Sequence, residues 1–66
     1  MEIKTLTEDY DWKEAMSYAK FKAEDVAEIL KADQGCHDEA DWLLIVRLKD
    51  GTFGWLNAGC DYTGWD

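Results

Sequence analysis

Cys36-His37-Asp38 and Cys60-Asp61 carry the side chains in this chain best suited to chemistry. Thiolate, imidazole and carboxylate are the groups zinc prefers, usually four to a structural site. Two Cys and one His fall short of four, so a carboxylate would have to complete the set, and no Cys-x-x-Cys spacing occurs. As a nucleophile and base, Cys36 and His37 are poorly arranged: adjacent residues rarely aim at one reacting atom, and no oxyanion donor or orienting group is indicated. Phosphate loops, EF-hand loops and nucleotide fingerprints are missing. An ordinary loop histidine and two small, partly buried thiols account for these residues more simply. The expectation is a protein that is not an enzyme, with no catalytic residue, no metal and no cofactor.

The elements that would hold these residues come from hydrophobic spacing. Sixty-six residues suffice for one domain, residues 1–66. The class expected is α+β: one or two N-terminal helices packed on a C-terminal antiparallel β-hairpin, with room for a third short strand. Residues 1–6 read as an edge strand or an extended lead-in. Thr7 is placed to cap a helix, with Glu8, Asp9 and Asp11 at its positive end. Trp12, Ala15, Met16 and Ala19 then recur at helical spacing. Ala23 to Asp33 predicts a second helical segment, with Val26, Ala27, Ile29 and Leu30 on its apolar side and Gly35 as its terminating glycine.

Trp42–Lys49 and Thr52–Ala58 are rich in β-branched and aromatic residues, and Asp50-Gly51 between them is a strong hairpin cue. A two-residue turn would pair Leu48 with Phe53, Val46 with Trp55 and Leu44 with Asn57. One face would then collect Trp42, Leu44, Val46, Leu48, Phe53 and Trp55; the other, Leu43, Ile45, Leu56 and Ala58, with Arg47 and Lys49 near the turn. Helices can cover only one of them fully. The same pairing brings the loop before the first strand and the tail after the second to one end of the hairpin, where a Cys36–Cys60 disulfide is sterically open but disfavoured by a reducing cytoplasm.

Charge limits the partners. Fifteen acidic residues against seven basic give a formal net charge of −8. That disfavours direct binding to nucleic acid or to an anionic membrane and favours either a basic protein partner or simple solubility. Four of the acids, Asp33, Asp38, Glu39 and Asp41, fall in a nine-residue loop without Lys or Arg. They border Trp42, and the tail adds Asp61, Tyr62 and Trp65. Tyr and Trp are favoured binding anchors, so these eight residues form the expected contact. The competing use of the rings is to plug the open end of a small core. No apolar run reaches the ~20 residues of a membrane span, and no signal peptide is visible, so the cytoplasm of a host cell is the expected location.

The stretch running from the tryptophan strand through the Lys-Asp-Gly turn and the aromatic strand to Cys60-Asp61-Tyr62-Thr63-Gly64-Trp65 resembles a group of small proteins encoded by bacteriophages and prophages. The likeness covers about residues 35–66. Those relatives tend to continue past the position of Asp66. The resemblance implies a source and no activity. Small acidic phage proteins often bind and block a host factor, including CRISPR effectors and other nucleic-acid enzymes. The expectation is therefore a binding protein that inhibits or modulates a basic, nucleic-acid-handling protein. The alternative is a homo-oligomeric structural or virion-accessory component, in which a homodimer covers the second apolar face.

Overall fold

The computed structural model of the chain describes residues 1–36, 40–61, 64 and 65. The first helical signal resolves into two short helices, α1 (Thr5–Glu8) and α2 (Tyr10–Met16), divided at Asp9. Asp9 is extended, and its carboxylate accepts the Trp12 N–H at 3.1 Å. It therefore caps α2, the role the sequence suggested for Thr7. Thr7 lies inside α1, where its hydroxyl donates to the Lys4 carbonyl at 3.0 Å. Residues 1–6 lead into a helix and form no strand. Trp12 and Ala15 are buried on α2 with Met16 packed beside them, while Ala19, expected on the same helical face, packs there from beyond the helix end.

The second predicted helix is not there. Ala23–Asp25 makes a single 3-10 turn, and the chain then extends as strand β1 (Val26–Asp33). β1 pairs antiparallel with β2 (Trp42–Leu48), which pairs antiparallel with β3 (Phe53–Ala58), giving a sheet of order β1-β2-β3. Two register shifts in β1, between Val26 and Glu28 and between Ile29 and Lys31, explain the misreading. Each bulge inserts one residue. The inward residues, opposite Leu48, Val46 and Leu44, are therefore Val26, Ile29 and Ala32. A spacing of three in an Ala-, Glu- and Lys-containing run imitates a helix.

The hairpin turn lies at Asp50-Gly51, but it is one residue longer than expected. Leu48 N–H donates to the Thr52 carbonyl at 2.7 Å, and Gly51 N–H to the Leu48 carbonyl at 3.0 Å. Three residues, 49–51, thus form the loop. Gly51 has φ 90°, a left-handed conformation that costs a glycine little. The pairs are Val46 with Gly54, Ile45 with Trp55, Leu44 with Leu56 and Trp42 with Ala58. Because side chains alternate, this one-residue difference moves every β3 residue to the other face. Leu56 and Ala58 join Trp42, Leu44 and Val46 inside, while Phe53 and Trp55 point out.

The core is one cluster. Leu6, Trp12 and Ala15 from the helices meet Val26, Trp42, Leu44, Val46, Leu56 and Ala58 from the sheet. Phe21, in the irregular link to β1, packs at its margin, and a Cβ on Gly54 would fall 2.8 Å from its ring. The tail adds a two-rung ladder, β4 (Cys60–Asp61) with β5 (Gly64–Trp65). Among the described residues, no helix is long and apolar enough to cross a membrane.

Candidate protein-binding surfaces

Cys36 is an exposed free thiol, so no bridge to Cys60 is formed. His37 and Asp38 lie outside the described residues. Among those described, no three His, Cys, Asp or Glu side chains gather as a metal site. An open depression of about 380 Å³ beside α2 is lined in part by Thr7 and Ser17, but both hydroxyls donate to main-chain carbonyls, of Lys4 and Glu14. The Asp50 carboxyl is held below its ordinary value, chiefly by the Thr52 hydroxyl, which donates to it at 2.6 Å, and also by the Thr52 N–H at 2.9 Å. Those bonds fasten the hairpin loop.

The acidic end of the sheet is assembled from three strand ends. β1 finishes at Asp33, opposite Leu43, while β3 finishes at Ala58, opposite Trp42, and β4 follows at once. The loop before β2 and the tail after β3 therefore leave the sheet at one end, as the hairpin implied. Asp33 and Asp41 are exposed there, and Asp33 stands 3.7 Å from the Lys31 ammonium. Asp61 contributes its main chain to β4. Asp38, Glu39 and Tyr62 lie outside the described residues.

Trp42 is corrected: it is no surface anchor. Its relative exposure is 0%, and it is among the largest side chains of the core. Two features surround it. The Trp65 ring, half-buried, meets it with centroids 4.7 Å apart and planes inclined by 48°. Gly35 lies so close that a Cβ there would fall 2.5 Å from the indole and 2.5 Å from the Ala40 carbonyl oxygen. Glycine at 35 is thus needed for close approach and not as a helix terminator. Beyond it, Cys36 and Ala40 exchange two main-chain hydrogen bonds of 3.1 Å, closing the loop. One buried indole anchors both the acidic loop and the tail.

The outward face of the sheet holds what the sequence reading missed. Across the three strands its rows are Glu28, Arg47 and Phe53; Lys31, Ile45 and Trp55; and Asp33, Leu43 and Asn57. Phe53 is 69% exposed and Trp55 70%. Arg47 reaches Glu28 at 3.1 Å, while Lys31 faces Asp33. These four charges cancel. Asn57 was the available clue: the two-residue turn set it opposite Leu44, whereas the longer loop puts Leu56 there and leaves the Leu44 face wholly apolar.

No family model, curated protein or solved structure matches the chain.

Proposed function

We propose that this protein is a non-enzymatic acidic binding protein, of bacteriophage origin, that inhibits or modulates a basic nucleic-acid-handling protein of the host, a CRISPR effector being one example. The observation that supports this is that the chain before β2 and the chain after β3 leave the sheet at one end, where Trp42 and Trp65 meet. Residues 33–41 and 59–66 hold six of the fifteen acids and no Lys or Arg. Asp33 stands beside Lys31 and Asp41 is exposed; acids close together in sequence with no cation among them attract a basic surface over about a Debye length, ~8 Å at physiological salt. Such a surface ordinarily meets phosphates, and an acidic protein end competes for it. Trp65 supplies a half-buried ring beside the charge, in place of Trp42.

The test is capture of basic proteins from a host lysate by the immobilised chain, repeated at rising salt. The triple change Asp38→Asn, Glu39→Gln and Asp41→Asn is expected to reduce capture at least tenfold, and wild-type capture is expected to fall as salt rises. Capture that ignores salt and survives the triple change would refute the reading.

A further inference from the structure

We propose that the outward face of β1–β2–β3 is a self-association surface, and that its occupant is the same face of a second copy of this chain. This goes beyond the function proposed above and uses a different surface. The argument begins with charge. Glu28, Arg47, Lys31 and Asp33 sum to zero on this face, so the thirteen other acids and five other bases carry the whole net charge of −8. Copies of so acidic a chain repel one another over most of their surface. Among the described residues, this sheet surface has no excess of carboxylates, and Lys20 borders it beside Phe53 and Trp55. A basic protein gains nothing electrostatic from it, whereas a second copy meets a neutral apolar surface like its own. Self-complementarity of one patch is what a two-fold dimer requires.

Its apolar content points the same way. Phe53 and Trp55 stand exposed on β3, Ile45 and Leu43 fill the middle of the face, and Leu30 is exposed at the second bulge of β1. β3 has no ionisable residue from Phe53 to Ala58, and its pairing with β2 is regular. Charged residues and bulges protect a strand from unwanted contacts. β1 has both and β3 has neither. Two such faces can stack about 10 Å apart, as the layers of a sandwich do.

The size places the contact among weak, transient interfaces. An aromatic side chain presents about 150–250 Å², and with roughly 70% of it exposed, the four rings of a pair would remove some 400–700 Å² from water. Leu43, Ile45 and Leu30 bring the total towards about 1,000 Å², just under the ~1,200 Å² at which standard specific interfaces begin. The dimer is thus weak and forms with rising concentration.

Sedimentation of the intact chain from about 1 to about 200 µM, at physiological salt, brackets the dissociation constant such an interface gives. The wild-type mass is expected to move from one copy towards two. Phe53→Ser with Trp55→Ser should stay monomeric throughout, with unchanged circular dichroism. Trp55→Thr alone, which keeps a strand-forming residue, should weaken association at least tenfold and serves if the double change unfolds. A wild type that remains monomeric at the highest concentration overturns the proposal, as does a folded variant that associates like the wild type. Capture of a basic protein by the double variant, unchanged from wild type, would show that failure here leaves the acidic-end reading standing.

Discussion

Leu56 and Trp55 are neighbours on β3 and have opposite fates. Leu56, with Ala58, is enclosed against Trp42 and Leu44, whereas the larger Trp55, with Phe53, stands in solvent. Burying a ring of about 150–250 Å² would contribute several kcal/mol at ~25 cal/mol per Å². The free chain forgoes that twice on one strand. The inner face is what folding uses. The outer face contributes little to the isolated chain, and its rings are available to whatever docks there. Hydrophobicity alone would have ranked the residues the other way, so the pleat and the loop length decide which side each one takes.

Substitutions can break that comparison. The largest effect is expected for Trp42→Ala, which removes the central core ring and the support of Trp65. Large aromatic truncations cost about 3–5 kcal/mol, enough to unfold much of so small a domain, and urea denaturation followed by circular dichroism will measure it. Next comes Leu56→Ala, at about 2–4 kcal/mol, read from the shift of the same transition. Gly35→Ala tests the close approach beneath the indole. Its Cβ has no room, so overpacking should cost about 1–3 kcal/mol, and the Trp42–Trp65 contact should be disturbed in the near-ultraviolet dichroism. Trp55→Ser stands at the opposite limit: at dilutions where the chain is single, its stability should stay within about 0.5 kcal/mol of wild type. A loss there as large as that of Leu56→Ala would erase the distinction between the faces.

The smallest effect belongs to the loop that sets the register. Thr52 lowers the Asp50 carboxyl below its ordinary 3.8. A carboxyl lowered on folding stabilises the native state above the unfolded value, and that contribution disappears as pH falls through the lower folded value. The stability difference between wild type and Asp50→Asn should therefore be present at neutral pH and shrink below pH 3.8, as paired acid titrations will show.

Much of the fold was legible because its strongest cues are local. Asp50-Gly51 marked the turn, the Trp12–Ala15–Met16 stripe marked the helix, and the hairpin placed loop and tail at one end. What escaped notice were departures from regular periods. Two bulges gave β1 the spacing of a helix. One extra loop residue reversed β3 and hid the aromatic face. Asp9, and not the expected Thr7, capped the helix because the chain is extended at Asp9. Of the expected contact residues, Asp33 and Asp41 are exposed and Trp65 is half-buried. Trp42 is enclosed instead, because an indole at the base of a small core is worth more buried.

Four indoles in such different settings also make the chain its own spectroscopic instrument. Trp12 and Trp42 are sealed, Trp65 is half covered and Trp55 stands in solvent. A neutral quencher such as acrylamide should reach Trp55 first, whereas iodide will be held off by the net negative charge. Whatever comes to rest on the sheet will announce itself as a loss of that quenching, without any label.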